Sequence, residues 1–287
     1  MTDETRDPIL PPPVPESLET APQPIARWRW WIHLVLIAAY VGLIGAEGFF
    51  RERGTGPALT ASARGLLVSS ALGLLIFGGI FVGAWLASRA SRDDLLLRWR
   101  NGFWPIPWGL GYSVALRFAL GLAAIAVAVV LMASRVVTPD QFQHIVQTRA
   151  PDVGAIVSVA SLRDNPAYFW LMVTFVSFVV AGLREELWRA AFLAGLRGLW
   201  PRRFATRKAQ IGGVAIAAVV FGFGHSAQGP IAAIAAGVLG LGLGVIMVCH
   251  RSIWPAVIAH GCFDATSFAL LPWVAEKMHE WQHALGP

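Results

Sequence analysis

The feature that most constrains this chain is a series of seven long apolar runs separated by short polar segments. Each run approaches the roughly 20 residues that an α-helix needs to cross about 30 Å of hydrocarbon. The runs predict an all-α, polytopic transmembrane helix bundle of about seven to eight membrane helices, with the eighth formed if 184–199 is a separate segment. The seven runs are Trp30–Ala46, Gly65–Ser88, Phe118–Ser134 with a lead-in from Trp104, Pro166–Leu183, Ala209–Gly224, Gln228–Val248 and Ser252–Leu271.

The composition agrees with a membrane location. Hydrophobic residues make up 56% of the 287 residues and charged residues only 14%, a balance that a water-soluble domain does not show. We therefore expect the lipid bilayer as the main partner and no nucleic-acid binding, and we take the formal net charge of +6 as a matter of membrane orientation. The two cysteines, Cys249 and Cys262, lie in or beside apolar runs and indicate neither a disulfide framework nor a thiolate metal site.

The distribution of Lys and Arg residues orients the bundle, because cytoplasmic loops carry an excess of positive charge. With seven spans, 13 of these residues fall on the side that holds the N-terminal tail and the basic loop WPRRFATRK at 200–208, and 7 fall on the other side. We therefore predict an integral membrane protein of a bacterial plasma membrane with its N-terminus in the cytoplasm.

Several ionisable residues lie at membrane depth, where a charge costs a few kcal/mol. Glu185 and Glu186 precede the basic loop by about four helical turns, which places them roughly 21–23 Å from it. His225 rises by a similar amount beyond the same loop, on the next and antiparallel helix. His260 and Asp264 are spaced i, i+4 and share one face of the last helix. The side chains of three helices can therefore converge on one site within the membrane.

Each of these groups also has a simpler interpretation. Arg184 and Arg189 could neutralise the two glutamates on an interfacial amphipathic helix. His225 could be a hydrogen-bonded packing residue, and His260 and Asp264 could bond across helices. All three interpretations would have to hold together, at matching depth, and the pattern therefore favours a functional site.

Two further charged residues fall in or near the spans. Glu47 lies at a span end beside FFRER, where snorkelling is enough to reach water, so we interpret it as structural. Arg117 lies deeper, and we interpret it as a packing residue with a snorkelled head rather than as a counter-ion for a carboxylate.

The convergence of carboxylates and imidazoles permits two kinds of chemistry. A carboxylate and an imidazole at a small polar cavity can hold a water molecule and remove a proton from it. That water could attack a peptide carbonyl, and His260 or a protonated carboxyl at Asp264 could donate hydrogen bonds to the oxyanion. Glu185, His225 and His260 could instead bind a divalent metal, since this donor set also suits zinc. The residues alone leave both alternatives open.

Three short motifs, in order along the chain, resemble those of the CPBP family, the CAAX protease and bacteriocin-processing family. EELWR at Glu185–Arg189 is similar to the family's Glu-Glu motif with a following Arg. FGFGH at Phe221–His225 matches a Phe and a His separated by three residues, and HGCFD at His260–Asp264 matches a His and an Asn or Asp with the same separation. The likeness covers about 170–270, and the three motifs together are specific although each alone is weak.

The resemblance implies a membrane-embedded peptidase of glutamic type, related to the CAAX prenyl endopeptidases, or a metallo-endopeptidase. The substrate would be a membrane-associated or lipidated protein or peptide. No cofactor is expected, although a metalloprotease would use Glu185, His225 and His260 as ligands of zinc. The glutamic mechanism implies roles for six residues: water activation by Glu185 and His225, positioning of their helix by Glu186 and Arg189, and oxyanion stabilisation by His260 and Asp264.

One departure from the family pattern concerns the first motif, which has two residues between the second Glu and the Arg where the family has three. If Glu185 is the first Glu, Arg189 is displaced by one position. If Arg189 keeps its place, Glu185 takes the second position and Arg184 replaces the catalytic Glu. Helical spacing lets Arg189 pair with Glu185 or with Glu186. We prefer Glu185 as the water-activating residue.

The sequence also predicts how the chain is divided, and it leaves other functions open. A non-catalytic membrane scaffold or accessory protein could bind a partner helix through the same pocket. A proton-coupled transporter could use the same groups as a relay, but it would be expected to have inverted repeats, which are not visible. The predicted divisions are a disordered cytoplasmic tail at 1–27, N-terminal membrane helices at 28–135, an interfacial linker at 136–165, a CPBP-like catalytic core at 166–275 and a C-terminal tail at 276–287.

Overall fold

The computed structural model describes residues 25–50, 60–149, 151, 154 and 156–284, and the predicted disordered tail therefore lies almost wholly outside the described residues. Within them the regular elements are helices, and no strand occurs. The α-helices are α1 (Arg27–Phe50), α2 (Ala63–Ser88), α3 (Pro105–Ala133), α4 (Pro139–Arg149), α5 (Val159–Asp164), α6 (Pro166–Leu171), α7 (Arg184–Leu199), α8 (Arg207–Gly224), α9 (Pro230–His250) and α10 (Trp254–Ala284). A π-helix, Met172–Leu183, joins α6 to α7, and a 3₁₀ turn, Ser226–Gln228, joins α8 to α9.

The all-α prediction is confirmed, and each predicted span overlaps one of these helices. The stretch from α6 to α7 is continuous, so 184–199 extends the span that begins at Pro166. The count of seven to eight spans stays a prediction. In the described part of the chain, five helices are long and apolar enough to cross a membrane: Ala63–Ser88, Pro105–Ala133, Pro166–Leu199, Pro230–His250 and Trp254–Lys277.

The outer surface of the bundle is apolar, as a lipid-facing surface must be. On α2 and α3, the side chains of Val68, Leu75, Phe118 and Ile125 are each more than half exposed. Contiguous exposed apolar surface of this kind is rare on soluble monomers. These helices therefore present to lipid the side that a soluble protein would have to cover.

Close packing of α8 on α9 depends on small residues. A Cβ atom on Gly222 would lie 2.6 Å from the carbonyl oxygen of Ala233, and one on Gly237 would lie 3.4 Å from that of Ala218. Small residues let membrane helices approach backbone to backbone, where van der Waals packing holds them together. This contact fixes the C-terminal end of α8, which carries the FGFGH motif, against α9.

The π-helix places the EELWR motif against α10. Within it, the hydroxyl of Ser177 donates to the carbonyl oxygen of Met172, five residues earlier, at 2.7 Å. Gly182 allows the close approach, since a Cβ atom there would lie 2.9 Å from the carbonyl oxygen of Val257 and 3.4 Å from the amide nitrogen of Gly261. The first turn of α7 is therefore next to the middle of α10. π-helical turns are rare and occur frequently at functional sites.

The first helix, α1, is tied to both α2 and α7. The two ring nitrogens of His33 lie 2.9 Å from the carbonyl oxygen of Ala84 on α2 and 2.8 Å from that of Ala191 on α7. The indole nitrogen of Trp188 on α7 donates to the carbonyl oxygen of Ile37 at 3.1 Å. These contacts make α1 one wall of the space in front of α7.

The loop between α2 and α3 supports the start of α10. The amide nitrogen of Ile253 donates to the carbonyl oxygen of Leu96 at 2.9 Å, and the indole nitrogen of Trp254 donates to that of Leu97 at 2.9 Å. Because α10 begins at Trp254, these two bonds fix the N-terminal end of the helix that carries the third motif.

The predicted interfacial linker at 136–165 contains two short helices, α4 and α5. Ser158 caps α5, and the side chain of Asn165 accepts from the amide of Tyr168 at 3.1 Å to begin α6. Pro166 occupies the first helical position, where its missing amide hydrogen costs nothing. A new helix therefore starts at a defined residue immediately before the long span that carries EELWR.

Candidate active site

Three helices bring the six candidate residues to one region of the bundle. His260 lies within 4 Å of three carboxylates, two of which belong to α7. His225 lines a cavity together with one of those two carboxylates. The six residues are Glu185, Glu186 and Arg189 on α7, His225 at the C-terminal end of α8, and His260 and Asp264 on α10.

Glu186 and Arg189 form a fully buried ion pair. Both side chains have 0% exposure, and Arg189 Nη1 contacts Glu186 Oε2 without the alignment of a directed hydrogen bond. The Nε and Nη2 atoms of Arg189 make no hydrogen bond with the described residues. Two glycines of α9 leave room for the long side chain, since Cβ atoms on Gly240 and Gly244 would lie 3.5 Å and 3.1 Å from it. The i, i+3 spacing of EELWR therefore closes a pair in spite of the shortened motif.

His260 is surrounded by acidic groups. Its Nδ1 atom lies 3.3 Å from Oε1 of Glu186, and its Nε2 atom lies 3.7 Å from both Oε2 of Glu185 and Oδ2 of Asp264. The ring is only 3% exposed. Because carboxylate oxygens are acceptors, both ring nitrogens can serve as hydrogen-bond donors at this position.

The two adjacent glutamates have different surroundings. The side chain of Glu185 is 19% exposed, whereas that of Glu186 has no exposure. Oε1 of Glu185 accepts a hydrogen bond from Arg184 Nη2 at 3.1 Å. Glu185 also lines a cavity of about 70 Å³, and its other lining residues include Tyr40, Arg184 and His225. At liquid density this volume holds roughly two water molecules.

A hydrogen bond to the backbone sets the orientation of His225. Its Nδ1 atom lies 2.9 Å from the carbonyl oxygen of Phe221, which can only accept, so Nδ1 carries a hydrogen and, in the neutral imidazole, Nε2 is the acceptor. The ring of Phe221 lies 4.5 Å from the ring of His225 and 6.2 Å from that of His260, centroid to centroid. The Phe of the FGFGH motif therefore packs against both histidines.

Arg117 reaches the same region from α3, which differs from the interpretation as a snorkelled packing residue. Its Nη1 atom donates to the hydroxyl of Ser113 at 2.9 Å. Its Nη2 atom contacts the carbonyl oxygen of Phe263 and the hydroxyl of Thr266 on α10. Asp264, whose side chain is 22% exposed, lies between these two residues in the chain. The guanidinium is thus attached to the turn of α10 that carries the third motif.

Sequence reasoning missed Tyr40, which lines the cavity. Tyr40 lies on α1, far from the three motifs, and no pattern in the sequence marks it. Arg184 was considered only as a residue that neutralises the two glutamates, and in the structure it pairs with Glu185 at the cavity wall. The side chain of Glu47 lies outside the described residues.

A metal site is not preformed in the described part of the chain. No group of three or more His, Cys, Asp or Glu side chains there is arranged to hold a metal ion. The proposed ligands Glu185 and His260 approach to 3.7 Å, and the bond of His225 Nδ1 to the Phe221 carbonyl leaves its Nε2 atom for a ligand. Arg184 engages one carboxylate oxygen of Glu185, and Arg189 contacts one carboxylate oxygen of Glu186. Zinc binding by Glu185, His225 and His260 stays a prediction from sequence.

These observations define a class of protein: a helical integral membrane protein that gathers several carboxylates, arginines and histidines at one largely buried site. Within this class the chain has a recognisable domain. Residues 166–266 match the family model described as Type II CAAX prenyl endopeptidase Rce1-like. The chain therefore contains an Rce1-like domain of the CPBP family, a family of CAAX protease-type membrane peptidases. All three motifs fall inside the matched range.

The resemblance found from the three motifs is thereby confirmed at the level of the family. Searches of curated proteins and of solved structures gave no significant match.

Proposed function

We propose that this protein is an intramembrane endopeptidase that cleaves a membrane-associated or lipidated protein or peptide with water activated by Glu185 and His225. The observation that carries the proposal is the cavity of about 70 Å³ that these two residues line together. A carboxylate and an imidazole acceptor on opposite helices can hold one water molecule between them. The family of the matched domain supports peptide-bond hydrolysis as the reaction.

The surroundings of the two glutamates support Glu185 as the water-activating residue. Glu186 is fully buried, and it is engaged by Arg189 on one oxygen and by His260 on the other. Glu185 is bound by Arg184 through Oε1, and its Oε2 atom is 3.7 Å from His260. A general base must be within hydrogen-bond reach of the proton that it removes. Only Glu185 of the pair borders the cavity in which such a water would bind.

In the proposed reaction, the water oxygen attacks the carbonyl carbon of the scissile peptide while Glu185 accepts a proton from it. The carbonyl π electrons move to oxygen, and His260, with Asp264 one turn away on the same face of α10, donates a hydrogen bond to the resulting oxyanion. The C–N bond then breaks, and the proton held by Glu185 passes to the leaving amine. The products are a carboxylic acid and an amine, and His225 orients the water through its free Nε2 atom throughout. Every step uses water and side chains of this chain.

The test is cleavage of a farnesylated fluorogenic peptide, ending in a CAAX sequence, by the full chain in lipid nanodiscs. We expect Glu185→Gln to lower the rate by about 10²- to 10⁴-fold, the usual contribution of a general base. His225→Asn should lower it strongly as well. The matched control is Glu280→Gln at the far end of α10, where Glu280 pairs with the half-exposed Lys277. This variant should retain full activity.

The alternative of a non-catalytic scaffold gives a different result in the same preparation. If Glu185→Gln and His225→Asn both cleave at the wild-type rate, peptide hydrolysis does not depend on this site and the proposal is wrong. A scaffold would also retain its bound partner in the Glu185→Gln variant while no form of the protein released product from any membrane substrate. Thermal unfolding of each variant should match the wild type, so that lost activity cannot be ascribed to lost folding.

A further inference from the structure

The intramembrane arginine of α3 is the strongest feature that the proposed mechanism does not use. Arg117 is the one charged residue in the 29 residues of Pro105–Ala133. A charge on a membrane helix is costly and, where it occurs, commonly faces a partner inside the bundle. Among the described residues, its side-chain hydrogen bonds are with its own helix and with α10. The partner is therefore on the helix that carries the third motif.

The contacts of Arg117 surround the position of Asp264. Nη2 contacts the carbonyl oxygen of Phe263 and the hydroxyl of Thr266, which precede and follow Asp264 on the same turn. The guanidinium carbon also lies 4.3 Å above the ring of Phe263. Arg117 and Asp264 form no direct ion pair within 4 Å, but the guanidinium is attached to the turn of α10 that carries the carboxylate, and opposite charges attract one another over such a separation. Such interactions are weakly screened in an apolar interior.

The charges of the site point to a specific role for this residue. Arg184 pairs with Glu185 and Arg189 pairs with Glu186, which leaves Asp264 as the third carboxylate around His260. Three carboxylates that share one imidazole repel one another, and the repulsion grows in a low dielectric.

We propose that Arg117 is a positioning residue of the site, which supplies the countercharge for Asp264 and fixes the turn of α10 that carries it. The proposal rests on the proposed peptidase function. Without Arg117, the carboxylate of Asp264 would turn toward Nε2 of His260 and compete with Glu185, since both now lie 3.7 Å from that atom. Arg117 thus keeps His260 available to the reaction.

The experiment compares four proteins in nanodiscs: wild type, Arg117→Gln, Asp264→Asn and the double variant. With the farnesylated fluorogenic peptide, we expect Arg117→Gln to lower kcat by about 10- to 100-fold, the scale of a misplaced reacting group, with little change in KM. In the Asp264→Asn background, Arg117→Gln should lower kcat much less, because no carboxylate is left at position 264 to neutralise. Arg117→Lys should restore most of the rate, since it keeps the charge. Arg135→Gln is the matched control, because Arg135 is exposed and lies just beyond the end of α3. This change should leave kcat unaltered.

A second readout needs no substrate. Thermal unfolding of the same four proteins should show non-additive shifts, with Arg117→Gln less harmful when position 264 is neutral. Equal losses of kcat in both backgrounds, or additive shifts in melting temperature, would overturn the role of Arg117. Failure of the proposed function would give a different result. Glu185→Gln would then be fully active, or the wild type would not cleave the peptide. In either case the unfolding data would still show the coupling between positions 117 and 264.

Discussion

The buried pair of Glu186 and Arg189 allows a stringent test of how the site is held together. We consider three variants: Glu186→Leu, Arg189→Met and the double variant. In each single variant one charge loses its ionic partner in a region that has 0% exposure. In the double variant both charges are gone and the side chains are replaced by apolar groups of similar length.

The structure predicts that the two single changes lower the free energy of unfolding by different amounts. Removing one member of a buried pair costs about 3–5 kcal/mol. Glu186→Leu leaves Arg189 with no ionic partner among the described residues, and its Nε and Nη2 atoms already lack hydrogen bonds there, so the upper part of that range applies. Arg189→Met leaves Glu186 with its contact to His260 at 3.3 Å, so the cost should be nearer about 3 kcal/mol.

The double variant should be far more stable than the sum of the single changes implies. Replacement of a buried ion pair by apolar side chains is often close to neutral. The remaining cost is the lost bond to His260, which is worth about 1.5–3 kcal/mol for a hydrogen bond to a charged group. We therefore expect a favourable coupling of more than about 3 kcal/mol between Glu186 and Arg189.

The assay is reversible unfolding in mixed micelles with increasing SDS, read by tryptophan fluorescence. Arg163→Gln is the control, because Arg163 forms an exposed pair with Asp164 and its loss should leave the unfolding midpoint unchanged. The reasoning fails if Arg189→Met destabilises the protein as much as Glu186→Leu. It also fails if the stability lost in the double variant equals the sum of the losses in the two single variants.

Three further predictions address packing and orientation. Gly244→Ala should destabilise the protein by about 1–3 kcal/mol, since a Cβ atom there overlaps a methyl group of Val214, whereas Gly212→Ala, with open space around it, should have no harmful effect in the same SDS unfolding assay. His33→Leu should cost about 1–3 kcal/mol, because the imidazole that links α1 to carbonyl oxygens of α2 and α7 is lost; unchanged unfolding would contradict this. A cysteine at Arg203, in a cysteine-free background, should react with an impermeant thiol reagent in inverted vesicles but not in intact cells, and the opposite pattern would reverse the predicted orientation.

Much of the fold was predictable because the bilayer imposes a length and an apolar composition on each span. The same constraint makes every charge inside a span conspicuous, which is why Glu185, His225, His260 and Asp264 could be selected before their contacts were known. The depth of Glu185 and His225 was counted from the loop that their helices share, and the depth of His260 and Asp264 was counted from Ser252. In the structure His260 lies within 4 Å of Glu185 and Asp264, and His225 and Glu185 line one cavity.

Other parts of the site depend on helix rotation and crossing, which the sequence of one chain does not encode in a readable way. Tyr40 reaches the cavity because α1 packs on α7, and nothing in its own neighbourhood in the sequence indicates that. Arg117 looked like a packing residue because its partners are backbone and hydroxyl oxygens of α10, which carry no charge to be recognised. The choice between Glu185 and Glu186 also depends on rotation, since adjacent residues point about 100° apart on a helix.

The π-helix that leads into EELWR gives this span a property that a regular α-helix lacks. A π-helical turn closes on the fifth residue instead of the fourth, so it can lose one residue by becoming an α-helical turn. A one-residue deletion between Met172 and Leu183 could thus be absorbed locally, whereas in a regular helix it would rotate everything that follows by about 100°. An insertion or deletion upstream of the motif therefore need not change the direction in which Glu185 points. The rotation of α7 can thus be kept when the length of the preceding helix changes.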